Sequence, residues 1–278
     1  MITRRDFHKL ALALPAVAAS AKLTNGVMLG AQSYSFRDRP VDDAIAAMKD
    51  IGLTYVELWQ GHAENEKMKR AELRQWRETV SLDEFSKIGQ KLKAAGIELW
   101  AYNYSFRDDF SDAEIARGFE MAKALGTNRI TASANVTTAR RVDPFAQKAK
   151  ITVGFHNHSR IVKNEFATPD DFEAALKGMS KYTALNLDIG HFWAANFNPV
   201  EYLEQHHDQI ISLHIKDRGK NQGDNMPFGQ GTTPIKEVLQ VLKTKKYKIP
   251  AMIEYEYKGQ DTVAEVRKCF EYCKNALA

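Results

Sequence analysis

The chain has 278 residues, 44% hydrophobic and 27% charged, with a formal net charge of +4. That length accommodates one large α/β domain of about 250 residues or two smaller ones, and so weak a surplus, with no clustered basic face, argues against nucleic acid as a partner. Two cysteines, Cys269 and Cys273, lie four apart on one helix face, where a disulfide has poor geometry, so they read as packing residues.

The first residues read as an address. Thr3-Arg4-Arg5-Asp6-Phe7-His8-Lys9 precedes the apolar run Leu10 to Ala18 and the small-x-small site Ala19-Ser20-Ala21. A charged segment, a short apolar run and a cleavage site make a secretory signal. The arginine pair resembles the twin-arginine type, which directs a protein to the periplasm. The run falls short of the ~20 apolar residues that span a bilayer, so stable membrane insertion is not expected. Cleavage after Ala21 leaves residues 22–278 as the mature domain, with a net charge of about +2.

From Val27 onward, β-rich runs alternate with amphipathic segments. The predicted strands are Val27–Ser33, Tyr55–Trp59, Ile97–Asn103, Arg129–Ser133, Ile151–His158, Ala184–Ile189, Ile210–Lys216 and Pro250–Tyr255. Between them Val41, Ala44, Ile45, Met48 and Ile51 keep the spacing of one buried helix face, as do Phe119, Ala122 and Leu125. Ser81-Leu82-Asp83-Glu84 and Ser111-Asp112-Ala113-Glu114 match the capping box, and Thr168-Pro169 sets a cap residue before a proline at the first helical position. Gly52, Gly96 and Gly126 end helices before the next strand. The basic run Lys243, Lys245, Lys246 and Lys248 closes another helix and reads as a solvated face.

Eight strands with interleaved helices imply a parallel sheet with right-handed crossovers, and eight closes a (β/α)8 TIM barrel in a single domain. A doubly wound open sheet is the alternative, but no G-x-G-x-x-G follows the first strand to support a nucleotide-binding version. The charged insertion Gly61–Thr79 would overhang the barrel's C-terminal rim, either as a lid or as a surface excursion.

Four consecutive later strands end in ionisable residues: His156-Asn157-His158, Asp188-Ile189-Gly190-His191, His214-Ile215-Lys216-Asp217 and Glu254-Tyr255-Glu256. In a parallel barrel these ends converge on the rim where barrel active sites sit. Imidazoles and carboxylates there form a mixed N/O set suited to one divalent ion: Mn2+ first, with Zn2+, Co2+, Fe2+ or Mg2+ as alternatives. Four of the eight histidines fall in these strand ends.

These motifs, with Val56-Glu57-Leu58-Trp59 before them and Phe228-Gly229-Gln230-Gly231 between, resemble the xylose-isomerase-like barrel superfamily over about residues 27–278. That group of sugar phosphate isomerases and epimerases includes ketose 3-epimerases and inosose dehydratases, and is related to endonuclease IV. The resemblance implies metal ligands at Asp188, His214 and Glu254. Where many members carry glutamate on the fifth strand this chain has His156, taken here as the fourth ligand. It also implies proton abstraction beside a metal-polarised carbonyl, with Glu254 as the base and His158 or His191 as acid or substrate ligand.

Glu57, Trp59, Trp100, His191, Lys216 and Arg218 are the expected substrate contacts. Tyr34, Phe106 and Trp193 also stand near strand ends, to stack on a sugar face or to pack as rim core. The expected partner is a small sugar or keto-sugar, and barrels of this kind often form homo-oligomers. Three functions remain open: a sugar isomerase or epimerase; a lyase, dehydratase or hydrolase on a keto-sugar or 3-keto-glycoside; and a periplasmic sugar-binding barrel without turnover. DNA repair of the endonuclease IV type needs further histidines on the early strands, where His62 is the only approximate candidate.

Overall fold

The computed structural model of the chain describes residues 22–65 and 67–278. The leader expected over residues 1–21 lies outside the described residues. Short runs of buried β-formers make the strands β1 (Leu29–Gln32), β2 (Tyr55–Trp59), β3 (Glu98–Asn103), β4 (Arg129–Ser133), β5 (Thr152–His156), β6 (Thr183–Asp188), β7 (Ile210–Ile215) and β10 (Ala251–Ile253). All eight pair in parallel and close as β1-β10-β7-β6-β5-β4-β3-β2, the predicted barrel. A small antiparallel hairpin, β8 (Asp217–Arg218) with β9 (Asn225–Met226), was not legible in the sequence. Five strands are shorter than predicted, β1, β3, β5, β7 and β10; β5 and β10 stop at His156 and Ile253, and the residues beyond them build the rim.

The helices are α1 (Val41–Ile51), α2 (Arg70–Thr79), α3 (Leu82–Ala94), α4 (Asp112–Leu125), α5 (Val136–Ala149), α6 (Pro169–Leu176), α7 (Ile189–Ala194), α8 (Pro199–His206), α9 (Ile235–Lys245) and α10 (Thr262–Ala276). Their apolar faces pack on the barrel's outer side as one continuous core. The box at Ser111 forms in both directions, and Thr168 makes one with Asp171. The one expected at Ser81 is half-formed, since its hydroxyl accepts from Asp83 N at 3.2 Å and Glu84 does not reach back. Gly52, Gly96 and Gly126 all have positive φ at their helix ends, as predicted. Cys269 and Cys273 are buried free thiols in the core.

The charged insertion is a docked surface excursion, and none of its described residues lines the cavity over the barrel. Arg77 of α2 is 2% exposed, lies over the rings of Tyr104 and Phe110, and forks onto Glu64 at 2.9 and 2.7 Å. Glu114 of α4 holds both Arg70 (2.8 Å) and Arg77 (3.4 Å). A buried guanidinium needs such partners, so this cluster pins α2 against the outer helices.

Candidate functional site

Strand register gathers the site. Asp188 on β6 stands directly opposite His214 on β7, and His156 on β5 opposite Asn186, two residues before Asp188 on the same face. His214 pairs with Met252, which puts Glu254 one step higher on the same side of the last barrel strand. One donor atom from each of His156, Asp188, His214 and Glu254 therefore lies within 4.8 Å of the other three. Donors around a shared ion at ~2.1 Å stand at most about 4.2 Å apart, so the set is a few tenths of an ångström from closing.

Orphaned atoms test whether an ion fits there. His156 Nδ1, Asp188 Oδ2, His214 Nδ1 and Glu254 Oε2 are all buried without a well-formed hydrogen bond. The last three have close charged neighbours, yet these contacts lack hydrogen-bond geometry. Native interiors rarely leave such atoms unpaired. Two carboxylates and two imidazoles match a divalent cation in charge and in chemistry, so the residues fit the group.

For Asp188 and His214 the other side-chain atom is already committed. Asp188 Oδ1 accepts from His191 N at 2.6 Å as the N-cap of α7, which leaves Oδ2 free. Asn157 clamps the same strand end, accepting from Asp188 N at 2.9 Å and donating to Asp188 O at 3.2 Å. His214 Nε2 lies 2.8 Å from Glu57 Oε1, so the proton sits on Nε2 and Nδ1 turns toward Glu254, 3.1 Å away. Glu57 is itself held by Asn103 and Ser212 inside the barrel.

Lys216 is the centre of the electrostatics. Its ammonium touches Asp188 Oδ2 (3.2 Å), Glu254 Oε2 (2.9 Å) and Glu256 Oε2 (2.6 Å) while only 2% exposed. Burial opposes its charge, but the three carboxylates outweigh burial and raise its pKa. Burial would likewise raise the Glu254 carboxyl, but Lys216 and His214 hold it well below the usual carboxylate range. Burial pushes Asp188 up to about 6 against the pull of Lys216. The His214 ring is raised well above a free imidazole, because Glu57 and Glu254 overcome burial. His156 and His191 are held low, in each case chiefly by burial.

The motif glycines explain the close approach. A side chain at Gly190 would collide with the backbone of Lys216, so glycine there lets α7 lie against β7. The Phe228-Gly229-Gln230-Gly231 loop wraps Asp217, whose carboxylate accepts from Gly229 N, Gly231 N and Thr233 N at 2.7, 3.1 and 3.2 Å. That wrap anchors Arg218, the next residue, above the rim.

Residues 45–275 match the family model described as the xylose isomerase-like TIM barrel. The chain belongs to this family. Among curated relatives, L-ribulose-5-phosphate 3-epimerase UlaE of Escherichia coli is 23% identical over 195 residues, 67% of this chain and 66% of its own length. The chain thus spans just under two thirds of the relatives it matches. Two solved structures share the fold. The apo 3-keto-D-glucoside 4-epimerase YcjR from E. coli is 14% identical with a TM-score of 0.69, over 90% of this chain and 99% of that one. The IolI protein with a bound zinc atom is 16% identical with a TM-score of 0.68, over 90% and 97%.

On this xylose isomerase-like scaffold, His156, His158, His191, His214, Lys216 and Glu254 all face a cavity of about 380 Å3, with Tyr34 and Trp59 as its aromatic wall. Three expected substrate contacts are placed elsewhere. Trp100 is early in β3, at the opposite mouth of the barrel, where it packs with Tyr55, Ala101, Met252 and Met28 and donates to Ile211 O at 2.9 Å. A register shift between Val56 and Glu57 on the neighbouring strand accompanies this placement. Glu57 is fully buried beneath His214 instead of lining the cavity, and Arg218 reaches His191 from outside it. Phe106 is core against Tyr104 and Phe119, and Trp193 donates to Thr232 away from the cavity. His62 lies beside Ser33 and Phe36, remote from the ligand group.

Sequence reasoning missed Gln32, Asn103, Arg107 and Glu256, which also line the cavity. Glu256 was legible as the i+2 neighbour of Glu254 on the same strand side. The misplaced tryptophan gives a control: Trp100→Ala should destabilise the fold by ~3–5 kcal/mol in denaturant unfolding and leave metal content unchanged. Lost metal with unchanged stability would return Trp100 to the site.

Proposed function

We propose that this chain is an exported, metal-dependent sugar isomerase or epimerase that removes a proton from the carbon beside a carbonyl. The observation that carries the reading is the four-residue donor set His156, Asp188, His214 and Glu254, opening onto a cavity the size of a small ligand. Its relative UlaE, named a 3-epimerase, supports it. The leader at residues 1–21 supports export to the periplasm, and with it a sugar without phosphate.

A divalent ion, Mn2+ in the first instance, would supply Lewis-acid polarisation of the carbonyl when bound. The rest belongs to the chain. Glu254 takes the proton with one carboxylate oxygen while the other faces the ligand group. The bond electrons move into the carbon–carbon bond, and the carbonyl becomes an enolate oxygen. His191 and the Lys216 ammonium face that oxygen from the rim. His158, which also lines the cavity, returns a proton to the opposite face. Tyr34 and Trp59, edge to face at 5.0 Å, form a platform for the sugar's apolar side.

One observation favours a second reading. His156 stands where many members have a second glutamate, so carboxylate chemistry is concentrated at β10. Such a one-sided site suits elimination, in which the same first proton transfer is followed by departure of a β-hydroxyl or glycosidic oxygen. Deuterium uptake from solvent into a panel of ketoses and 3-keto-glycosides separates the cases. Exchange with stereochemical inversion is expected; release of water or aglycone selects the lyase; absence of both across the panel leaves a sugar-binding protein and ends the proposal.

A further inference from the structure

His191 is held between two cations. Its Nδ1 lies 2.7 Å from Arg218 Nη1, and its Nε2 lies 3.0 Å from Lys216 Nζ. A neutral imidazole has one N–H and one lone pair, and an imidazolium has no lone pair at all. Both neighbours are donors, so only one of the two contacts is a hydrogen bond, and the choice decides which way the ring is protonated.

The other contacts of each cation make that choice. A guanidinium never accepts and does not give up its proton. Arg218 Nη1 carries two protons, one directed at Ser159 Oγ (2.9 Å) and the other at His191, while Nε donates to Gly223 O (2.9 Å) and locks the plane. At 2.7 Å, two N–H groups would meet head-on unless Nδ1 is bare. The Lys216 ammonium meets both the ring and Glu256 at hydrogen-bond distance and lies against Asp188 and Glu254 as well, but its protons turn about the Cε–Nζ bond, so it can yield where the locked guanidinium cannot.

We propose that Arg218 is a positioning residue that fixes His191 in the Nε2-protonated tautomer, so that the ring offers an N–H donor into the cavity. Lys216 gives that proton no lone pair, which leaves a substrate oxygen as its partner. That last step rests on the sugar-enzyme reading; the tautomer does not. The device mirrors the one at His214. There a carboxylate, Glu57, holds the proton on Nε2 and presents a bare nitrogen to the ligand group, whereas here a guanidinium holds the bare nitrogen and presents the proton.

The test is long-range 1H–15N spectroscopy of 15N-histidine-labelled protein, metal-free and zinc-loaded, with His191 assigned through its loss in His191→Gln. Wild type should show a pyridine-type Nδ1 and a pyrrole-type Nε2. Arg218→Met should let an Nδ1-protonated population appear, and Arg218→Lys, which retains a donor, should restore the wild-type pattern. Where turnover is measurable, Arg218→Met should lower kcat by about 10- to 100-fold at unchanged metal content. A protonated Nδ1 in wild type overturns the proposal, as does an Arg218→Met ring identical to wild type. Should Arg218→Met fail to fold, the wild-type spectrum decides alone. A normal tautomer without sugar turnover would retire the function and keep the positioning role.

Discussion

Asp188→Ala and His214→Ala are each expected to release the divalent ion, which wild type should hold at about one per chain by elemental analysis. Each removes one donor of the four-residue set found among the described residues, and alanine supplies none in its place. Glu57→Gln should behave differently: the ion stays, but its affinity falls about 10- to 100-fold, the usual cost of losing the partner that orients a ligating histidine. Proton competition adds a pH signature. In the metal-free site burial pushes Asp188 up to about 6, and the His214 ring must also lose its proton before Nδ1 can bind. Both are protonated at low pH, so affinity should rise with pH through and above 6. Full metal content in both alanine variants would dismiss the centre.

Glu254→Gln is the second large effect, with kcat expected to fall by about 10^2- to 10^4-fold, the range a positioned base contributes. The amide keeps the shape and an oxygen for the ion but cannot take a proton. Metal content should therefore survive in part, and sugar binding should weaken far less than turnover. Lys216 and His214 keep the carboxyl ionised despite its burial, the form in which it can accept a proton. Unchanged turnover in the amide variant would reassign the base. Lys216→Met is the informative companion, since it removes the cation that neutralises Asp188 and Glu254 without removing a donor.

The barrel was legible because its signal is periodic: eight β-rich runs separated by helix faces, with caps at Ser111 and Thr168 where predicted. The meeting of His156, Asp188, His214 and Glu254 was legible because parallel strands bring their C-terminal ends to one rim, so a histidine or carboxylate ending a strand has a known destination. Strand interiors were harder. Trp100 was assigned to the rim, yet it is two residues into β3 and belongs to the lower barrel, which counting from the strand start would have shown. Glu57 and Arg218 are expected as substrate contacts, and the structure sets them against His214 and His191. Whether a polar side chain touches substrate or a histidine behind it depends on distances, and no spacing along the chain encodes them.

The barrel divides its labour by halves. β5, β6, β7 and β10 bring the donor set and Lys216, while Tyr34, Trp59, Asn103 and Arg107 come from the first three strands and the segments that follow them. Glu57 crosses between the halves, and it does so below the cavity floor. On the proposed reading, Tyr34, Trp59 and Arg107 can change what the cavity admits while leaving the donor set alone, whereas Asn103 cannot, because it also holds Glu57 behind His214.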